Sequence, residues 1–158
     1  MKKLVFIIRF CLIISITPHL LAQAPKKIVV EHSDFFAVNQ IEAPDAALLT
    51  GNVRMIHDGV VMTCNKAYYF EKENYIKAFG NVQLVQGDTL FLNSKYAEYS
   101  GNVKKAFATG NAVMSSPDAT LATDTINFDR NTQEVFYNTN GTIVNKENTL
   151  KSKSGRYY

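Results

Sequence analysis

The chain has 158 residues, with 17 Lys and Arg against 14 Asp and Glu, a formal net charge of +3. That length suits one domain with a sizeable core. Lys2, Lys3 and Arg9 carry the whole charge excess, so the chain beyond its first segment is neutral, which excludes a nucleic-acid partner that needs a basic face.

The first segment reads as a secretory signal peptide over residues 1–22. Lys2 and Lys3 open it, an apolar run follows from Leu4 to Ile16 broken by Arg9 and Ser15, and a small, polar stretch ends it. The apolar run is too short to span a bilayer as a permanent helix. Cleavage is expected after Ala22, because a cut after Ala24 would place Pro25 directly behind it. The competing reading is an uncleaved N-terminal anchor. Ile8-Arg9-Phe10 ahead of Cys11 lacks the small residues of a lipid-modified N-terminus. Residues 23–158 then form one exported domain. Cys64 is its lone thiol, expected as a small buried hydrophobe, so stability rests on packing or assembly and not on a disulfide.

That domain is repetitive. Gly51-Asn52-Val53, Gly80-Asn81-Val82, Gly110-Asn111-Ala112 and Gly141-Thr142-Ile143 recur at spacings of 29, 30 and 31 residues. Met62, Leu92, Leu121 and Leu150 form a second series. Tyr69, Tyr99, Phe128 and Tyr157 form a third, seven residues behind the second in each copy. Residues 29–36 read as a half repeat before the first glycine, and an insertion at 39–47 breaks the first repeat.

Each repeat of about 29 residues predicts two strands. One type covers about 60–70, 89–99, 120–128 and 149–158. The other passes through the glycine at about 48–56, 75–85, 103–114 and 135–144. Gly, Pro, Asn and Asp cluster between them, as in His57-Asp58-Gly59, Gln86-Gly87-Asp88 and Ser116-Pro117-Asp118. Short turns between consecutive strands imply an all-β antiparallel meander. Met62 and Tyr69, like Leu92 and Tyr99, stand an odd number of residues apart, so a bulge or corner is needed for both to face one interior. The slips fall near Asn65-Lys66, Ser94-Lys95, Asp124-Thr125 and Lys153-Ser154. Glycine in the other strand type tolerates the same bend, with Gly80 and Gly110 expected to point inward. Every strand bends at one level, and the product is a long sheet folded into a V.

Ala78-Phe79-Gly80-Asn81-Val82 and Ala108-Thr109-Gly110-Asn111-Ala112, each followed by a turn and an apolar strand, resemble the OstA-like repeat of the LptA-type periplasmic lipopolysaccharide-transport proteins. The resemblance covers residues 28–158. It implies a folded antiparallel β-jellyroll, or β-taco, that holds the acyl chains of lipid A in its groove. It also implies end-to-end stacking with related domains between the two membranes of a Gram-negative envelope. Some members are the N-terminal domain of a larger outer-membrane protein. A chain that ends at Tyr158 on an uncovered strand is what a fragment of such a protein would show.

On this reading Val53, Met55, Met62, Cys64, Tyr69, Val82, Leu84, Leu90, Leu92, Tyr99, Met114, Leu121, Phe128, Ile143, Leu150 and Tyr157 line a lipid groove. The competing reading makes the same residues a closed sandwich core in a structural β-repeat protein of the cell envelope. Small residues beside the corners (Ala67, Ala78, Ala97, Ala108, Ala112) leave room and favour the groove. Lys151, Lys153 and Arg156 are candidate contacts for lipid A phosphates, against the alternative of a solvated edge strand that resists aggregation.

No catalytic constellation, cofactor motif or metal site is expected. His32 and His57 have no Cys or carboxylate at ligand spacing. Asp58, Asp88 and Asp118 recur once per repeat, which raises calcium binding or sugar hydrolysis, but each stands alone beside turn residues.

Overall fold

A computed structural model describes residues 26–38 and 44–158. The leader and its cleavage site lie outside the described residues, as do residues 39–43 of the insertion. Twelve strands and no helix occur among the described residues. In chain order they are β1 (Val29–His32), β2 (Phe35–Val38), β3 (Ala47–His57), β4 (Val60–Phe70), β5 (Tyr75–Gln86), β6 (Leu90–Ser100), β7 (Lys105–Ser115), β8 (Ala119–Asp129), β9 (Glu134–Tyr137), β10 (Gly141–Asn145), β11 (Thr149–Ser152) and β12 (Gly155–Tyr157). All belong to one antiparallel sheet.

The six central strands, β3 to β8, pair consecutively as a meander. Each is 11 or 12 residues long, about twice the usual strand. Each also crosses a crease, and the glycine–asparagine pairs form it. Gly51 and Asn52, Gly80 and Asn81, and Gly110 and Asn111 all have positive φ. Register jumps there: Thr50 pairs with Lys66 and Val53 with Cys64, so Gly51 and Asn52 together oppose Asn65 alone. Two left-handed residues against one make a bulge that turns the strand, and Gly and Asn are the residues that adopt that backbone at least cost.

The parity slip expected on the other strand type is present. On β4, Met62 and Cys64 are buried, Asn65 is exposed, and burial resumes at Ala67. Gly80 and Gly110, however, do not point into the interior. A Cβ at Gly80 would lie 2.9 Å from the side-chain nitrogen of exposed Asn65, and one at Gly110 would lie 2.8 Å from Cβ of exposed Lys95. Positive φ, not interior crowding, selects glycine here. Gly141 departs again: its φ is not positive, and the buried ring of Tyr137 covers it.

The crease divides the sheet into two flaps. One runs β1-β3-β4-β5-β6-β7-β8-β10-β11, and the other runs β2-β3-β4-β5-β6-β7-β8-β9-β12. The central strands belong to both. At the two ends the chain breaks at the crease, so the expected strands at 29–36, 135–144 and 149–158 are each two short strands.

Apolar rows cross each flap in register. On the first flap Val30, Met55, Met62, Leu84, Leu92, Met114, Leu121, Ile143 and Leu150 are successive cross-strand partners. On the second, Val38, Ala47, Tyr69, Ile76, Tyr99, Ala106, Phe128, Val135 and Tyr157 are. The flaps bury these rows against one another. Beside the crease, Ala67, Ala78, Ala97 and Ala108 form a row of their own, each at most 1 % exposed. Their small side chains let the flaps close together, so the room expected beside the corners is taken up by that approach.

Candidate functional site: a laced seam and an open cavity

Opposite the crease the rims of the two flaps meet along a seam. Polar residues lace it in three rungs. At the β1 end, Lys26 to Ile28 cross from rim to rim. Asn74 fixes them, its Oδ1 accepting from Ile28 N (2.8 Å) and its Nδ2 donating to Lys26 O (3.0 Å), while Ile28 is buried in the core. In the middle rung, Lys26 and Lys104 each place Nζ 2.6 Å from the Asp58 carboxylate. Arg130 donates from Nη2 to Asp58 O (3.0 Å), from Nη1 to the Tyr99 hydroxyl (2.7 Å) and from Nε to Gln86 Oε1 (3.1 Å). In the last rung, Gln86 Nε2 donates to Gln133 Oε1 (3.3 Å), and Gln133 Nε2 donates to Arg130 O (2.7 Å).

The two lysines hold the Asp58 carboxyl well below the usual carboxylate range, Lys104 most strongly, then Lys26. Beneath it, His57 is buried between the Tyr99 hydroxyl (2.6 Å from Nδ1) and Lys26 O (3.0 Å from Nε2). A carbonyl only accepts, so Nε2 carries the proton and Nδ1 accepts from Tyr99. Burial lowers the His57 pKa, and Arg130 and Lys104 push it the same way, against the Lys26 carbonyl and Asp58, which raise it. The histidine expected as an isolated turn residue is thus a buried floor to the middle rung. Asp58 occupies its turn as expected and fastens the seam as well.

Beyond the last rung the seam is open. A cavity of about 450 Å³ lies there, walled by Leu90, Met114 and Leu121 on one side and Val135, Tyr137, Tyr157 and Tyr158 on the other, with Ile143 and Leu150 toward the edge. That volume falls within the range of roughly 300–1,000 Å³ that holds small ligands, and mostly apolar walls around few polar groups are usual there.

The residues expected to line a groove therefore fall into two sets. Val53, Met55, Met62, Cys64, Val82, Leu84, Leu92, Tyr99 and Phe128 are buried in packed core, with Tyr69 partly buried against it. Leu90, Met114, Leu121, Ile143, Leu150 and Tyr157 line the cavity. Leu150 and Tyr157 continue the inner rows but are 58 % and 54 % exposed, on the outermost strands of the described sheet. Burial pushes the Cys64 thiol up to about 11, which keeps it protonated and unreactive at neutral pH.

Of Lys151, Lys153 and Arg156, only Arg156 lines the cavity. Lys151 pairs with Thr142 on the outer face, Lys153 is exposed, and Arg156 binds Glu134 (2.8 Å) beside the cavity rim. The cations that converge are Lys26, Lys104 and Arg130, which sequence reasoning missed. One signal for them exists. Asn74, Lys104 and Gln133 occupy the same repeat position 30 and 29 residues apart, all have positive φ, and each laces one rung. No group of three or more His, Cys, Asp or Glu side chains arranged for a metal ion occurs among the described residues. Among them, too, no helix is long and apolar enough to cross a membrane.

A meander of creased strands, folded into two apolar-faced flaps that are laced along most of one seam and open at one end, defines a repeat β-jellyroll. The chain belongs to the OstA-like protein family, whose model matches residues 25–158. Comparison with curated proteins finds no match. Among solved structures it is similar to LptH, the LptA-homologous periplasmic component of the lipopolysaccharide transport device of Pseudomonas aeruginosa. The identity is 15 %, the match covers 70 % of this chain and 80 % of that one, and the TM-score is 0.61. The shared architecture is the β-jellyroll expected from the sequence.

Proposed function

We propose that this chain is an exported, periplasmic carrier of lipopolysaccharide, non-enzymatic, which takes lipid A acyl chains between its flaps and stacks with related β-jellyroll domains toward the outer membrane. The observation that carries the reading is the open apolar cavity at the β11–β12 end, continuous with buried rows that run the length of both flaps. The family membership and the fold shared with LptH support it. Both sheet edges are uncovered among the described residues, and an uncovered edge offers backbone donors and acceptors to a neighbouring strand.

A structural envelope protein with a dry interior is the second reading, favoured by the packed core from β3 to β7. A photo-crosslinking residue at Ile143, inside the cavity, compared with one at Phe91 on the outer face, separates the two. The carrier reading expects lipopolysaccharide adducts from position 143 and none from 91, with bound lipid visible by native mass spectrometry of protein from a lipopolysaccharide-producing host. Adducts from 91 alone, or a lipid-free mass throughout, support the dry structural protein.

A further inference from the structure

Three cations meet one residue, Asp58, at the middle rung. Lys26 and Lys104 bind the Asp58 oxygens, and Arg130 binds the carbonyl of the same residue. The Asp58 side chain is 23 % exposed, at the boundary between water and the apolar interior. Just below it lie buried His57 and Tyr99, the latter one member of an inner-face row. His57 adds no charge while it is neutral. Positive charge therefore exceeds negative within the rung. The two ammonium groups converge on the carboxylate, and the guanidinium lies beside them on the carbonyl of the same residue, so an oxyanion in the carboxylate's place would meet donors from both lysines next to a third positive charge. From Arg130, hydrogen bonds through Gln86 and Gln133 lead directly to the cavity wall.

We propose that Lys26, Lys104 and Arg130 form an anion site, held closed by Asp58, into which a phosphate monoester on the headgroup of an amphiphile exchanges while its acyl chains enter between the flaps. The inference rests on the carrier reading and adds the headgroup contact to it. A phosphate monoester carries about −1.5 to −2 charges at pH 7 and three acceptor oxygens, so it matches the three cations better than one carboxylate does. The exchange also unfastens a rung. Releasing Asp58 loosens the rung behind the one that borders the cavity, so headgroup binding and loosening of the seam become one event. The phosphate site is thereby distinct from Lys151, Lys153 and Arg156.

The test uses the full mature chain with two ligands, bisphosphorylated lipid A and the same lipid stripped of phosphate. In Asp58→Asn the internal competitor is gone, and the phosphorylated lipid binds more tightly by roughly tenfold, the scale of one charge-assisted hydrogen bond. The stripped lipid gains only what the loosened rung gives it, severalfold less than the phosphorylated lipid. Lys104→Gln weakens the phosphorylated lipid by a similar factor and does not weaken the other. Melting temperatures confirm that both variants are folded. Equal effects of Asp58→Asn on both lipids would reduce the rung to a mechanical latch and overturn the anion site. Inorganic phosphate that binds the wild type as tightly as the phosphorylated lipid would assign the site to a free ion instead. A wild type that binds both lipids with one affinity, insensitive to either substitution, sinks this inference alone. A wild type that binds neither sinks the carrier reading and this inference with it.

Discussion

His57 has its pKa lowered chiefly by burial, which disfavours the imidazolium and, with Arg130 and Lys104, outweighs the Lys26 carbonyl and Asp58. The ring must accept one proton on unfolding at mildly acid pH. Its folded pKa lies below the ordinary value of 6.5, so just beneath that pH the unfolded chain binds the proton and the folded chain does not. Stability therefore rises with pH through this window and levels off above it. The limiting slope for one linked proton is about 1.4 kcal/mol per pH unit. His57→Gln, which keeps a donor for Lys26 O, is expected to flatten the profile between pH 5.5 and 7 relative to wild type. Denaturant midpoints across that range measure it, and parallel profiles would remove His57 from the linkage. Exposed His32 is common to both proteins and cancels.

Strand geometry sets what a substitution at the crease does. Because Gly80 has a φ of +72° and faces Asn65 on the outer surface, Gly80→Ala is expected to cost about 1–2 kcal/mol, the scale of a left-handed L-residue. Gly80→Asn should cost less than Gly80→Ala despite its larger side chain, since Asn tolerates this backbone better. If crowding governed the site, the order would invert. Thermal unfolding of the two variants decides it. The crease also shows what the sequence could convey. The seven-residue offset between Met62 and Tyr69 forces a parity slip, and the recurrent Gly-Asn pairs supply the backbone for it, so the six long central strands and their bend were readable. Splitting of the outer strands at Ser33-Asp34, at 138–140 and at Lys153-Ser154 was not, because a break and a bulge leave the same parity slip in a sequence; unbroken β3 pairs with both β1 and β2, and unbroken β8 with both β9 and β10. The lacing was hidden for another reason. Asp58 meets Lys104 and Arg130 from 46 and 72 residues away, and that proximity exists only after the sheet has folded along its crease.

At the scale of the whole molecule the apolar interior is longer than the sheet that covers it. At the β2 end, Phe36 pairs with buried Leu49 and Val38 with Ala47, so both continue the inner face, yet each is 60 % exposed. At the other end Leu150 and Tyr157 do the same. Exposed apolar surface beside an unpaired strand edge marks an association site. Joining the β11–β12 edge of one copy to the β1–β2 edge of the next brings Leu150 and Tyr157 toward Phe36 and Val38 and continues both inner rows across the junction. Such a contact uses two different surfaces and does not close on itself, so it builds rods and not dimers. Lys151 and Lys153 on the incoming edge oppose identical copies, which keeps self-association weak and favours a related domain as partner. Light scattering on the wild type should therefore show mass that rises with concentration. Phe36→Ser combined with Val38→Ser should abolish the rise, whereas Phe91→Ser, which removes an exposed aromatic from the outer face, should leave it intact. A wild type that stays monomeric at high concentration, or a loss of association caused equally by Phe91→Ser, would leave the edges without this role.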